Sequence, residues 1–575
     1  MSRSRSAVAL AVFASALVLP GTAWAHAALL RTIPTPSGVL NEAPKAVALT
    51  FSEAVEPRFA AVSVTDSGGR QDAAGPPARS VSDPTTLVVP LHRLAQGWYL
   101  VYWRAISVDG HPVRGAFTFA VGPNAGPAPQ FVIPSISETA ATPRLVAARW
   151  IAFLAVMSAI GIFVLRMLVA RPLVRRVAGT QLRALSIAFF LAAAVALVAV
   201  PVYVVLATAD FALRSAFDLG AVLPLLRVSA FGRGYLDLEL CVALFAVAAA
   251  ISIWVDRPER DRRSVAELLA LTGALSGAAA TLLVPGLSGH AGQTSPRGAA
   301  ILFDWAHLAS GSIWVGGLLG LLVLWRSLPA AKRVAGLIVC VPRFSNVAFV
   351  SVLALISSGT GASILHLPTL ASLWQTSYGQ ALVAKIGLLA SAMLLAAVNL
   401  LRTKPRFRAC GARPELGAPT ALLLRRLVTG ELVLVCAAVL AAAILASLPP
   451  PAKALAQVSH ASARVGPGPV RDVVERDGYR LELRVRPNRA AVPNSFGIRI
   501  TRAGRPVRGA DVTASFAMLD MEMGRQAYRL PERAPGTYSR SAPALVMVGH
   551  WGLDFQVRPA GAAPFSVLIV DHATG

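Results

Sequence analysis

Cysteine is scarce in this sequence, and its placement excludes two kinds of site. The 575 residues contain four cysteines, and none lies before residue 241 or after residue 436. The two ends of the chain therefore lack the cysteines of a disulfide framework. No C-x-x-C pair occurs, so the sequence gives no sign of a thiolate metal site either.

Charged residues are also few, and most of them are basic. They make up 14% of the chain against 55% hydrophobic residues, and the mean hydropathy is +0.60. This composition predicts a polytopic membrane protein with attached domains. A net charge of +25 would favour nucleic-acid binding in a soluble chain. Here the basic residues lie mainly in loops between apolar spans and in the outer domains, so we predict no nucleic-acid partner.

The N-terminus has the pattern of a secretory signal peptide. Arg3 and Arg5 precede an apolar run, and a small-x-small cleavage site ends at Ala25. We therefore predict a signal peptide at residues 1–25, whose removal leaves His26 as the first residue. A terminal histidine offers both an amine and an imidazole nitrogen to a single metal ion.

A second group of metal-binding side chains follows in residues 107–112. Asp109 supplies a carboxylate and His111 an imidazole. Together with His26 they give nitrogen-rich ligation with one oxygen. This ligand set suits Cu(II), the strongest binder of the divalent series.

Residues 26–122 resemble the periplasmic copper-binding CopC domain. The resemblance is carried by His26-Ala27, Pro34, Gly38, Phe51-Ser52-Glu53, Trp103-Arg104-Ala105, Ser107 to His111, Gly115, Phe117 and Phe119. It implies that His26, Asp109 and His111 ligate copper, with Glu53 as a neighbour. Because this region contains no methionine, we expect it to bind Cu(II) rather than Cu(I).

The pattern along the chain predicts three structural regions. Short β-branched and aromatic runs predict a β-sandwich at 26–122 and a second extracytoplasmic β domain at 451–575. A Pro- and Ala-rich linker at 123–142 leads to an all-α region at 143–450. The predicted strands are 47–51, 61–65, 97–106 and 116–121 in the first β domain, and 479–485, 495–500, 512–517 and 551–557 in the second.

Apolar stretches in the middle region are long enough to cross a bilayer. We place eight spans near residues 146–168, 184–207, 235–254, 264–286, 299–325, 344–365, 379–401 and 426–447. If the first domain is secreted, the odd-numbered connections face inward, and these are the ones rich in Lys and Arg. We therefore predict a multi-pass protein of the bacterial plasma (inner) membrane, with both β domains on the periplasmic side.

Ionisable residues in or beside the spans are candidates for function, because they are expensive to place in lipid. Asp304 and His307 lie about one helical turn apart, His290 precedes them, and His366 follows the sixth span. We predict that these four form a membrane metal site of imidazoles and one carboxylate. The alternative is that His290 and His366 are interfacial loop residues and that Asp304 and His307 only pair with each other.

Residues 145–448 resemble the CopD membrane protein, and the resemblance implies copper passage through the inner membrane, usually read as uptake. It is carried by Ser288 to Ala291, Asp304 to His307, Trp314 to Gly317, Phe344-Ser345, Gly359 to Gly361, Tyr378-Gly379, Lys385 and Asn399. The small Gly316 and Gly317 are expected to let helices approach closely. We expect Lys385 to be paired, with Glu431 of the eighth span as a candidate partner.

Three of the eight methionines lie close together near the C-terminal end. Because thioethers favour Cu(I), Met518, Met521 and Met523 are candidate ligands, joined by His550. The alternative is a methionine-lined core. This region resembles the YtkA-type domain often fused to copper proteins, through Phe516 to Gly524, Pro535 to Tyr538 and Gly549 to Trp551. The remaining isolated histidines are interpreted as surface residues: His92, His460 and His572.

These features predict a copper-handling protein rather than an enzyme. We expect Cu(II) at the N-terminal domain, Cu(I) in the membrane and tail, and import driven by gradients or by trapping, since no P-loop motif is present. Expected partners are the copper ion, the lipid bilayer and periplasmic copper chaperones. The alternatives are a copper sensor or sink without transport, an oxygen-activating copper enzyme anchored to the membrane, and a haem-binding electron carrier. A haem carrier needs axial ligands on both sides of the iron, and only His307 lies clearly within a span.

Overall fold

The structure is a computed structural model, and its described residues form two compact units. It describes residues 29–35, 39–51, 54–106, 112–122, 142–212, 215–228, 230–367, 369–370, 372–410, 413–448, 455, 461–490, 492–519, 526–542, 544–546 and 549–574. The helical unit includes Ala140–His366 and Ser377–Leu448, and the other unit includes both β domains.

Among the described residues, eight helical stretches are long and apolar enough to cross a membrane, which confirms the predicted number. Numbered span 1 to span 8, they are Pro143–Arg176, Arg183–Asp210, Gly232–Val255, Val265–Ser288, Arg297–Ser327, Ala330–His366, Ser377–Ala409 and Pro414–Leu445. Shorter helices lie between spans in the sequence, at Leu219–Val228, His290–Gln293 and Ser372–Gln375. π-helical turns at Leu165–Ala170 and Asn399–Thr403 fall within spans 1 and 7.

Span 5 is the central helix of the helical unit. It packs against spans 1, 2, 4, 6 and 8, and its Trp314 is almost fully buried. Glycines allow its closest contacts: a Cβ at Gly316 would lie 2.5 Å from Gly161 Cα of span 1, and one at Gly317 would lie 2.1 Å from Phe344 Cε2 of span 6. The close helix approach predicted at these two glycines is confirmed. It holds span 5 in place as the support for the polar side chains that it carries.

Buried ion pairs join the C-terminal end of span 1 to the loop between spans 3 and 4. Arg166 and Arg171 each donate to Asp256 at 3.0 Å, and the Asp256 side chain is fully buried. Glu267 accepts from Arg171 at 3.4 Å and from the Ser264 backbone N–H at 2.7 Å, which caps span 4. A buried charge is costly without partners, so this network fixes the ends of spans 1 and 4 against each other.

We predict that Gly316→Val prevents normal packing of the helical unit. The added side chain would meet the backbone of span 1, which cannot move aside as a flexible side chain would. Overpacking usually costs about 1–3 kcal/mol, and a clash with backbone should lie at or above the upper end. The measurement is the yield and thermal stability of the purified protein in detergent. The matched control is Gly273→Val in span 4, where a Cβ would meet nothing within 4 Å. Equal stability of the two variants would contradict this packing.

The N-terminal β domain is a two-sheet sandwich. Its strands are β1 (Leu29–Ile33), β2 (Val39–Leu40), β3 (Ala46–Phe51), β4 (Ala61–Asp66), β5 (Ala78–Arg79), β6 (Thr86–Pro90), β7 (Gly97–Ile106) and β8 (Pro112–Val121). One sheet has the order β1-β3-β6-β5 and the other β2-β8-β7-β4. The rings of Phe51 on β3 and Trp103 on β7 meet edge to face at 5.4 Å, which joins the two sheets.

The C-terminal β domain also has two sheets. Its strands are β9 (Ala463–Val465), β10 (Val470–Arg476), β11 (Tyr479–Arg486), β12 (Asn494–Arg502), β13 (Arg505–Pro506), β14 (Asp511–Met518), β15 (Gln526–Leu530), β16 (Glu532–Ala534), β17 (Thr537–Ala542), β18 (Gly549–Arg558) and β19 (Phe565–Ala573). One sheet has the order β10-β11-β12-β17-β16, with β13 beside β12, and the other β15-β14-β18-β19-β9. The predicted fold class, two β domains around a helical region, is confirmed, and every predicted strand segment lies in a strand. Several strands were not predicted, among them β19.

Candidate functional site

A group of polar side chains meets between spans 5, 6 and 7 in the helical unit. His307 of span 5 places Nε2 3.3 Å from Lys385 Nζ of span 7. Its Nδ1 lies 3.4 Å from Ser358 Oγ of span 6. Asp304 lies one helical turn before His307 and interacts electrostatically with Lys385. We call these four residues, Asp304, His307, Ser358 and Lys385, the polar centre.

Glycines on the neighbouring spans make room for the polar centre. A Cβ at Gly359 of span 6 would lie 3.1 Å from His307 Cε1 and 3.3 Å from its Nδ1. A Cβ at Gly286 of span 4 would lie 3.1 Å from Asp304 Oδ2. Larger residues at either position would press on the carboxylate or the imidazole, so the two glycines keep both groups in their places.

The hydrogen bonds define which nitrogen of His307 carries a proton. Ser358 Oγ donates its single proton to the Ala354 carbonyl at 2.6 Å. This oxygen can then only accept from His307, an arrangement that favours the tautomer with its proton on Nδ1 and a lone pair on Nε2. The Lys385 ammonium group donates to that lone pair. A metal ion would bind His307 through Nε2. In this structure the positively charged Lys385 side chain already lies against that nitrogen.

The structure corrects the expected partner of Lys385. Glu431 accepts instead from the side-chain amide of Asn399, and Thr403 donates to Asn399 Oδ1 at 3.1 Å. Asn399 and Thr403 bound the π-helical turn of span 7, whose irregular backbone places the amide toward span 8. Glu431 therefore belongs to a different polar contact, whereas Lys385 contacts His307 and interacts electrostatically with Asp304.

Of the other two predicted membrane ligands, His366 makes contacts outside the polar centre. His366 donates from Nδ1 to the Ala362 carbonyl at 2.7 Å, and its Nε2 lies 3.3 Å from Thr294 Oγ1. The backbone of His290 begins a short helix, and its side chain lies outside the described residues. In the described part of the chain, no three His, Cys, Asp or Glu side chains are grouped to hold a metal ion. The structure thus brings Asp304 and His307 to Lys385 and engages His366 elsewhere.

The four candidate ligands of the N-terminal domain, His26, Glu53, Asp109 and His111, lie outside the described residues. The strand ends that flank them are described. Leu29 at the start of β1 pairs with Phe51 at the end of β3. Ile106 at the end of β7 pairs with Pro112 at the start of β8. Because Phe51 also touches Trp103 near the end of β7, the strand ends that lead to all four candidates lie at one end of the sandwich.

The tail domain brings together two histidines that are far apart in sequence. His550 on β18 is the direct register partner of His572 on β19. Their rings stack with centroids 4.7 Å apart and planes at 20°. Sequence reasoning singled out His550 and treated His572 as an isolated surface residue. The missing signal was strand β19, since only its pairing with β18 makes the two residues neighbours.

Met518 lies on the core face of the sheet, opposite to the face that carries the two histidines. It is almost fully buried in the sandwich core, where its register partner is Trp551. This is the position that a core methionine would take. Met521 and Met523 lie outside the described residues. The next described residue after Met518 is Leu519, whose backbone N–H donates to the His550 carbonyl at 2.9 Å.

Three family models match the chain, in the order expected from the sequence. The CopC domain matches residues 29–122, Copper resistance protein D matches residues 338–445, and the YtkA-like model matches residues 474–555.

Individual proteins are similar to the whole chain or to its first domain. The copper transport protein CutJ of Bacillus subtilis (strain 168) is 27% identical over 569 residues, which cover 96% of each chain. Protein YobA of Escherichia coli (strain K12) is 39% identical over 114 residues, or 20% of this chain and 91% of YobA. Copper resistance protein C of Pseudomonas syringae pv. tomato is 34% identical over 116 residues, or 19% of this chain and 91% of that protein.

The fold and these matches define a multi-pass membrane protein of the copper-handling class. More particularly, the chain belongs to the CopC–CopD fusion proteins of copper resistance and transport, and it carries a YtkA-like domain at its C-terminal end.

Proposed function

We propose that this protein binds copper on the periplasmic side of the plasma membrane and imports it through the helical unit. The observation that carries the proposal is the polar centre, a carboxylate and an imidazole on the central span of a CopD-like bundle. Placing such groups among apolar helices is expensive, and in membrane proteins they mark ion and substrate paths. The similarity to a copper transport protein along almost the whole chain supports copper as the substrate.

Capture is assigned to the N-terminal domain. His26 with its free amine, Asp109 and His111 supply the ligands for Cu(II), and Glu53 is their neighbour. The described strand ends support this assignment, because they gather at one end of the sandwich. His26 lies three Cα–Cα steps before Leu29, and a chain of that length reaches at most about 11 Å. The terminal histidine is therefore tethered to the end of the domain that leads to Asp109 and His111.

We predict that one extra residue before His26 weakens Cu(II) binding. The extension moves the free amine away from the imidazole and removes a bidentate chelate. Loss of a partner outside the ligand set alone typically costs about 10–100-fold in metal affinity, so loss of a direct ligand should cost at least that much. Competition with a chelator on the mature protein gives the affinity. As a control, the same residue inserted in the linker at 123–142 should leave binding unchanged. An extended protein with wild-type affinity would show that the amine is not a ligand.

Passage through the membrane is assigned to the polar centre. His307 Nε2 is a metal-binding nitrogen whose lone pair is held by Lys385 at 3.3 Å. Copper can bind there only when the ammonium group moves away, and Asp304 supplies the negative charge that can receive it. Lys385 therefore keeps the charge of the centre balanced when no copper is present. The same displacement gives copper a way out, since the returning ammonium group competes for Nε2.

We predict that His307→Ala reduces copper accumulation in cells while protein abundance stays normal. The variant removes the nitrogen that copper uses at the polar centre and leaves the outer domain intact. Cellular copper is measured by elemental analysis, with His92→Ala as the matched control, because His92 is an exposed histidine of the N-terminal domain. Wild-type accumulation in the His307 variant would assign the polar centre to structure alone.

We predict that Lys385→Met makes the purified protein hold copper more tightly. With the competing cation removed, His307 Nε2 is free, so the purified full-length protein should retain more copper against a chelator while cells accumulate less. Lys332→Met is the matched control, since Lys332 is half-buried and donates to the Ala178 carbonyl at 2.8 Å, away from the polar centre. Reduced copper retention in the Lys385 variant would mean that Lys385 supports copper binding rather than competing with it.

The tail is assigned a second copper-binding role, with Met521, Met523 and His550 as its candidate ligands. Thioethers bind soft Cu(I), and an imidazole binds either oxidation state. The position of Met518 in the sandwich core supports a packing role for this residue, and we leave it out of the proposed site. A tail site on the periplasmic side would hold copper near the membrane before or after passage. Copper chaperones of the periplasm are the expected donors.

A further inference from the structure

Two histidines of the tail domain form a pair that lies outside the polar centre and the N-terminal domain. His550 and His572 lie directly opposite each other on adjacent antiparallel strands, β18 and β19. Their rings stack at 4.7 Å between centroids. His550 is exposed and His572 is half-buried, so both imidazoles can be reached from solvent.

The ladder of paired strands continues on both sides of the two histidines. The register partners on either side continue the ladder, with Gly549 opposite Ala573 and Trp551 opposite Asp571. Trp551 and Asp571 point inward and are almost fully buried. Because successive side chains of a strand alternate between faces, the two histidines stand together on the outer face. Cβ atoms of directly opposed residues lie about 4.5–5.5 Å apart, a separation from which two imidazoles can reach one ion.

The environment of the pair favours a cation. The Asp571 carboxylate lies under the sheet beside both histidines and interacts electrostatically with each of them. Asn488 Nδ2 donates to Asp571 Oδ1 at 2.8 Å, and Oδ2 has no hydrogen-bond partner among the described residues. A positive charge on the outer face would compensate this buried carboxylate.

We propose that His550 and His572 together bind one copper ion as Cu(II), with water completing its coordination. The proposal rests on the proposed copper-binding role of the tail and adds to it the second imidazole that the sequence did not reveal. Two ring nitrogens turned toward one ion form a chelate, and among divalent ions of the first transition row copper binds such nitrogen ligands most strongly. The competing account is a stacked cross-strand pair that contributes only to packing.

The test counts the copper ions that the purified full-length protein retains against a competing chelator. His550→Gln and His572→Gln should each lose one equivalent of Cu(II), and the double variant should lose no more than either single variant. His92→Gln is the matched control, because it removes an exposed histidine of the other β domain, and it should retain the wild-type number. Wild-type retention in His572→Gln would overturn the proposal, as would a wild-type protein that retains zinc but no copper at this site.

A second measurement uses the wild-type protein and does not depend on how the variants fold. Diethyl pyrocarbonate modifies accessible histidines, and mass spectrometry locates the modified residues. Added Cu(II) should protect His550 and His572 over the same range of copper concentration, at least 10-fold in rate at saturation. Modification of either residue at an unchanged rate would contradict a shared ion.

The two proposals fail in different ways. If His572→Gln loses one copper equivalent while wild-type protein moves no copper across a membrane, the tail site stands and the transport proposal falls. If copper uptake depends on His307 while the tail variants retain all their copper, transport stands and the His550–His572 site falls.

Discussion

The rest of the helical unit depends on one contact inside the apolar helix bundle, between Lys385 of span 7 and His307 of span 5. A charged side chain at the centre of a bilayer costs about 3 kcal/mol on insertion scales, so Lys385 requires partners that stay in place. His307 Nε2 at 3.3 Å and the Asp304 carboxylate supply them. Span 5 carries both partners, and glycines on spans 1, 4 and 6 allow it to lie close to its neighbours. The close packing of this bundle is what keeps the polar centre assembled.

In the proposed function, the same contact lets the bundle exchange its own cation for a metal cation. The lone pair of His307 Nε2 that would bind copper lies against the Lys385 ammonium group, which can move but stays covalently attached to the chain. Binding is then an exchange of one cation for another, and the bundle avoids both an empty anionic site and a site with excess positive charge. In the proposed function, the β domains complement this arrangement with nitrogen ligands at the N-terminus and on the paired strands of the tail.

Much of the architecture could be predicted from the sequence, because long apolar runs and alternating strand patterns are local signals. The eight spans and the strand at Gly97–Ile106 are examples. Partnerships across the fold were harder to predict. Glu431 was a reasonable partner for Lys385 by charge, yet the π-helical turn at Asn399 gives Glu431 an amide instead. His572 gave no signal by itself, because its meaning depends on the register of β18 with β19. Residue type and spacing identify candidate ligands, and only the packing of the chain shows which of them meet.

Copper flux through the purified protein in lipid vesicles tests the central claim most directly. Full-length protein is reconstituted into copper-free vesicles that contain a copper-sensitive dye, and copper is added to the outside. The account predicts that copper enters faster than in protein-free vesicles and that the rate saturates with copper concentration. Vesicles whose protein binds copper on the outside while the interior fills no faster than protein-free vesicles would contradict it, and would assign the protein to copper sensing or storage instead.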